Sequence, residues 1–131
     1  SHIFRYAVQP HAGDWRRGRV AISALHFNTP LRVAECTPHA GDLPGQYSLF
    51  AVDNDQFILS ALKQSEDRAG IILRGYNPTA EDLEISLTLP DGISSVERVS
   101  LEESSIEALG ISDQTLVLKV GKGEIVSLSM R

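Results

Sequence analysis

Leu83-Glu84-Ile85-Ser86-Leu87-Thr88-Leu89 alternates apolar and polar side chains without a fault. Successive side chains of an extended chain point to opposite faces. Leu83, Ile85, Leu87 and Leu89 therefore share one face, and Glu84, Ser86 and Thr88 the other. This is a strand with one buried face. Pro90-Asp91-Gly92 then turns the chain, and Val96 to Leu101 is expected to return antiparallel.

The same pattern recurs on either side. Leu116, Leu118 and Val120 alternate with Val117 and Lys119, while Val126, Leu128 and Met130 alternate with Ser127 and Ser129. With Gly121-Lys122-Gly123 between them, these two runs predict a β-hairpin. Upstream, Ile3 to Val8, Tyr47 to Val52, Phe57 to Lys63 and Ile71 to Tyr76 are rich in β-branched and aromatic residues, as strands are. Asp53-Asn54-Asp55 is turn-forming and is expected to join two of them as a hairpin. Asp14 to Asn28 departs from the pattern: Trp15, Ala21, Ile22, Ala24 and Leu25 fall nearer a 3.6-residue period, which predicts a helix with Asp14 as N-cap and Pro30 beyond its end. A helical turn is also expected at Ser104 to Leu109. Together these predict a mainly all-β fold, an antiparallel β-sandwich of roughly seven to nine strands with one short helix near the N-terminus. Its core should contain Leu83, Ile85, Leu87, Leu116, Leu118, Val126 and Leu128.

A chain of 131 residues, 42% hydrophobic and 22% charged, is long enough for one packed domain and lacks the composition of disorder. We therefore expect 1–131 to be a single domain. The net charge of −5 offers no footprint for a phosphate backbone, so nucleic acid is not an expected partner. No apolar run approaches the roughly 20 residues of a membrane span. A single cysteine, Cys36, excludes an internal disulfide and a Cys-rich zinc site, and suggests a reducing, cytoplasmic location. The chain enters a strand-like run directly, with no Met and no signal peptide pattern. That suggests a processed chain, or a piece cut from something longer.

No catalytic set emerges from the residues. Cys36 and His39 are too close in sequence for the geometry of a dyad, and no Gly-x-Ser-x-Gly elbow is present. The pentapeptide Pro10-His11-Ala12-Gly13-Asp14 recurs as Pro38-His39-Ala40-Gly41-Asp42. Its two His-x-x-Asp sets lack the helical His-x-x-x-His spacing of a strong metal signal, and unmatched flanks make the recurrence one of loop composition. The acid pairs Glu66-Asp67, Glu81-Asp82 and Glu102-Glu103 read as solvated surface. No catalytic residue, metal ligand or cofactor is therefore assigned to this chain. Arg74 is the conspicuous charge, set among Ile71, Ile72, Leu73 and Tyr76. It must find a partner or face water: an ion pair with Glu66 or Asp67, or a charge presented to a partner or ligand.

The order of motifs resembles one known family. Phe4-Arg5-Tyr6-Ala7-Val8-Gln9-Pro10-His11-Ala12-Gly13-Asp14-Trp15 resembles the Phe-x-Tyr-Ala-x-x-Pro-His-x-Gly-x-Trp signature of α-mannosidases of glycoside hydrolase family 38. Phe27-Asn28-Thr29-Pro30-Leu31 is similar to its Phe-Asn-x-Pro-Leu. Ser60-Ala61-Leu62-Lys63, Glu66-Asp67 and Ile72-Leu73-Arg74-Gly75-Tyr76-Asn77 are similar to its Ala-x-Lys, Glu-Asp and Leu-Arg-x-Tyr-Asn stretch. The late strands match more generically.

The resemblance implies the C-terminal β-sandwich region of a retaining α-mannosidase or mannosylglycerate hydrolase-like enzyme. Zinc, its His and Asp ligands and the Asp nucleophile belong to an upstream catalytic domain, and none of those motifs is in this chain. The implied partners are that catalytic domain, in the same polypeptide, and through it an α-mannoside. The cut-away piece is expected to bare a docking surface that includes the loops around Pro10 to Trp15 and the turn after Arg74, and to self-associate. Arg74, Tyr76 and Asn77, with His11, are the candidates to face the catalytic domain or lie near its substrate. The alternative is a free-standing carbohydrate-binding sandwich, which the 6% aromatic content disfavours.

Overall fold

The computed structural model describes residues 2–131. The chain divides into two compact units, the first ending at Cys36 and the second spanning Thr37–Arg131.

The first unit holds one helix, α1 (Val20–Asn28). It is shorter than the expected helix from Asp14. Asp14 caps a separate turn instead: Arg17 N–H donates to its Oδ1 at 2.9 Å and Gly18 N–H to its backbone oxygen at 2.9 Å. Arg19 then adopts a left-handed φ of 52°, which a continuous right-handed helix cannot contain. The helix ends where Thr29 Oγ1 and N–H both donate to Leu25 O, at 2.6 and 2.9 Å. The strand expected at Ile3 to Val8 does not form: residues 2–10 carry no regular structure. None of the first unit's described residues is buried.

The second unit is the β-sandwich. Its strands are β1 (Ala51–Val52), β2 (Ile58–Gln64), β3 (Ile71–Tyr76), β4 (Leu83–Thr88), β5 (Val96–Val99), β6 (Ser105–Leu109), β7 (Thr115–Val120) and β8 (Ile125–Met130). They form a three-stranded sheet, β1-β4-β7, and a five-stranded sheet, β2-β3-β8-β5-β6, with every pairing antiparallel. Within the smaller sheet Leu83, Ile85 and Leu87 sit opposite Val120, Leu118 and Leu116. In the larger sheet Leu73 faces Leu128, and Gly75 faces Val126. All seven core residues expected from the alternation are buried, in one cluster that also takes Phe57, Leu73, Val96, Val120 and Met130. On the wet side of β4, Glu84 pairs across the ladder with Lys119, a favourable opposite-charge neighbour.

Four local expectations are overturned. β7 and β8 are not a hairpin: β7 pairs with β4, while β8 lies between β3 and β5 in the other sheet. The turn at 121–124 is tight, with Glu124 N–H donating to Gly121 O at 3.1 Å and Gly123 at φ 67°, but it carries the chain from sheet to sheet. Asp53-Asn54-Asp55 and Pro90-Asp91-Gly92 do the same, so β5 does not return beside β4. Each strand has an apolar face that either sheet satisfies, and that pattern leaves the partner open. Finally, Ser105–Leu109 is an edge strand rather than a helical turn. Ser100 organises the preceding loop, accepting Glu102 N–H and Ser104 N–H at its Oγ, each at 3.2 Å, and donating its own N–H to Ser104 O at 2.9 Å.

Candidate interaction surface

β3 carries the candidates Arg74 and Tyr76 and runs into Asn77. Ile71 and Leu73 pack into the inter-sheet core, so Ile72 and Arg74 point to the outer face of the larger sheet. There Arg74 is half-buried. Its Nε donates to Ser127 Oγ at 2.7 Å and a terminal nitrogen to Leu101 O at 3.1 Å. It makes neither anticipated ion pair. Glu66 pairs with Lys63 at 2.6 Å, and Asp67 with Arg131 at 2.9 Å. Glu103 completes this surface: Oε1 lies 2.7 Å from Lys63 Nζ, and Oε2 accepts Glu66 N–H at 2.8 Å. Lys63 and the Glu66 N–H hold the Glu103 carboxyl below its ordinary value, and Glu103 with Glu66 raises Lys63. The face is therefore a network of satisfied charges rather than a set with a poised acid or nucleophile.

Asn77 has no exposed surface at all. Its Nδ2 reaches three backbone oxygens, Glu81 at 2.7 Å, Gly121 at 3.0 Å and Val120 at 3.3 Å, and its Oδ1 accepts Thr79 N–H at 2.9 Å and Thr79 Oγ1 at 2.7 Å. Its own N–H donates to Glu124 O at 3.0 Å. One side chain thus ties the end of β3 to the loop before β4 and to the crossing between β7 and β8. Tyr76, the last residue of β3, is half-buried and sits opposite Ile58 and Ile125.

His11 lies in the first unit and is exposed. Its ring rests on Gly18, where a Cβ would come within 2.7 Å of Nδ1, and Gln9 Nε2 donates to Gly18 O at 3.1 Å. These contacts close the Gln9–Gly18 loop on itself. Asp82 Oδ1 accepts Lys122 N–H at 3.0 Å. Among the described residues no three His, Cys, Asp or Glu side chains gather as a metal set. Trp15 is 45% exposed, and the Arg16 guanidinium lies 4.4 Å from its ring centroid, over a face that a sugar would need.

Sequence reasoning placed the docking surface at the loops around Pro10 to Trp15 and the turn after Arg74, whereas the barest apolar side chains lie at other positions. In the first unit Ile3, Phe4, Tyr6, Val8, Leu31 and Val33 are each 86–97% exposed. Phe4, Tyr6 and Val8 would share one face of an extended chain. Within the second unit Leu43, Tyr47 and Leu49 are also exposed, and an open groove of about 500 Å³ is lined by Leu49, Phe50, Leu59, Leu62 and Leu73 among others.

Residues 56–128, from the turn before β2 into β8, match the model of the glycosyl hydrolases family 38 C-terminal beta sandwich domain. The chain belongs to that family. The family 38 match excludes the first unit, but a second comparison includes most of it. A protein of Halalkalibacterium halodurans named "Putative mannosylglycerate hydrolase" is 28% identical over 124 residues, 95% of this chain. The chain spans 14% of that relative's length. No solved structure matches it. No helix of the described residues is long and apolar enough to cross a membrane.

Proposed function

We propose that this chain is the C-terminal accessory domain of a zinc-dependent, retaining glycoside hydrolase that cleaves an α-mannoside, and that it docks against the catalytic part of the same polypeptide. The zinc and the reacting carboxylates belong to that catalytic part. The observation that carries the reading is the bare apolar surface of Ile3, Phe4, Tyr6, Val8, Leu31 and Val33. Side chains of that size recover roughly 1.5–3 kcal/mol each on full burial, and docking would supply that cover. The family match supports a glycosyl hydrolase parent, and the relative's printed name supports a mannoside-type substrate. Arg74, Tyr76 and His11 remain the candidates nearest the partner. Asn77 acts in the proposal only by holding the loops in place.

The test uses the longer polypeptide that contains this chain. Replacing Phe4, Tyr6 and Val8 together by Asp should release the domain to limited proteolysis and lower mannoside turnover at least tenfold. The isolated 131-residue chain should hydrolyse no aryl α-mannoside, with or without added zinc. Unchanged proteolysis and turnover in the triple variant would refute docking. Zinc-stoichiometric turnover by the isolated chain would refute the accessory role.

A further inference from the structure

Two rows of side chains lie on the outer face of the larger sheet. The register places Ala61, Arg74, Ser127 and Val99 in one row and Lys63, Ile72, Ser129 and Glu97 in the next. Ile72 and Val99 are 1% and 4% exposed, yet both stand outside the inter-sheet core cluster. The sheet's own inner packing therefore does not account for their burial. The loop joining β5 to β6 leaves from Val99, at one side of the face. It is bonded to Arg74 through Leu101 O, and to Lys63 and Glu66 N–H through Glu103. Lys63 is on β2, three strands away from β5. The loop and the side chains that fasten it, Glu103, Lys63 and Arg74, therefore share this face with Ile72, whose register partner is Lys63. The small Ser127 and Ser129 on β8 leave room for the loop.

The fastening is polar and concentrated. Arg74 holds the loop by one carbonyl. Glu103 holds it by both carboxylate oxygens, from a backbone at φ 65° that an L side chain rarely adopts. Leu101 points away and is 62% exposed. We propose that Ser100–Ser104 is a releasable strap, clasped by Glu103, which opens as a unit while the sandwich stays folded and uncovers Ile72 and Val99 as a second apolar face. Segments that open below the global unfolding free energy are those with few buried apolar contacts and polar fastenings, and this loop has both properties.

Two variants test the clasp from opposite sides. Glu103→Gly removes the carboxylate and suits the left-handed backbone, so it adds no strain of its own. Lys63→Met removes the ammonium without altering the loop. In hydrogen exchange of the full chain, both should speed exchange of the Glu66 and Ser104 amides at least tenfold, with the β4–β7 ladder around Leu118 unchanged. Unchanged protection at Glu66 and Ser104 in both variants would overturn the strap. So would acceleration of the β4–β7 amides to the same extent, because the loop would then open only with the whole domain.

Discussion

Replacing Asn77 by Ala removes the tie between β3 and the loops at 79–81 and 120–124. Nδ2 has two hydrogens and three carbonyls in reach, at 2.7, 3.0 and 3.3 Å, so it makes two full donations at most. Oδ1 accepts two more, both from Thr79. Four hydrogen bonds are lost, at about 1 kcal/mol each. Some of that is recovered: the one hydrogen of the freed Thr79 hydroxyl turns to Glu81 O, and Gly121 O keeps Glu124 N–H. The expected loss is about 3 kcal/mol, a large share of the 5–15 kcal/mol typical of a domain. In urea unfolding followed by far-ultraviolet circular dichroism, an m-value of about 1.5 kcal/mol/M turns this into a midpoint shift of about 2 M. Asn77→Asp sharpens the test. Its carboxylate faces three carbonyl oxygens and regains a donor only by protonation, so its folded pKa rises above the unfolded one. Its deficit relative to the parent chain should shrink as pH falls from 7 toward 4. A loss below about 1 kcal/mol for Asn77→Ala, or a pH-independent deficit for Asn77→Asp, would show that this network does not hold the loops.

Gly75→Ala should cost about 1–3 kcal/mol by overpacking, because the new Cβ would lie 2.8 Å from Ile58 O and against the Phe57 ring; a thermal midpoint equal to the parent's would contradict this. Stability should be full above about pH 5 and decline toward pH 3. Glu103 is held low chiefly by Lys63, Asp53 by the Ser86 N–H and Asp67 by the Ser65 hydroxyl. For each, the folded pKa lies below the ordinary value of 4.5 for Glu or 3.8 for Asp. Their contribution is present above the unfolded value and is lost as pH falls through the folded one. Thermal melts that are flat or rising between pH 5 and 3 would refute it.

What the sequence made legible was the set of buried faces. Leu83 to Leu89, Leu116 to Val120 and Val126 to Met130 each announce one apolar side by period two, and each buries that side. What it left illegible was the pairing. β7 and β8 have interchangeable patterns and a glycine turn between them, and nothing in a period of two says whether a turn closes a ladder or crosses a core. The β5–β6 hairpin was hidden for a related reason. Ser105–Leu109 is too short for periodicity to separate strand from helix, and the informative residue was Ser100, whose hydroxyl gathers the loop's amides.

The singled-out polar residues follow the same logic. Arg74 stood out as a charge among apolar neighbours, and the sequence limited it to an internal acid or an outside partner. The structure adds a third kind of answer, a serine hydroxyl and a loop carbonyl, while an internal acid still takes part: the Arg74 charge helps Lys63 hold Glu103 low. Asn77 looked like the polar end of a strand and is the most deeply buried polar side chain in the sandwich. Phe4, Tyr6 and Val8 invert the case. Their alternation is strand-like, yet the described chain gives them neither a ladder nor a cover. A strand forms where its apolar face is covered and its backbone paired. Under the proposed docking, an apolar surface with an open sheet edge would supply what Ile3 to Val8 lacks here, and the proposed catalytic part is where that surface is expected.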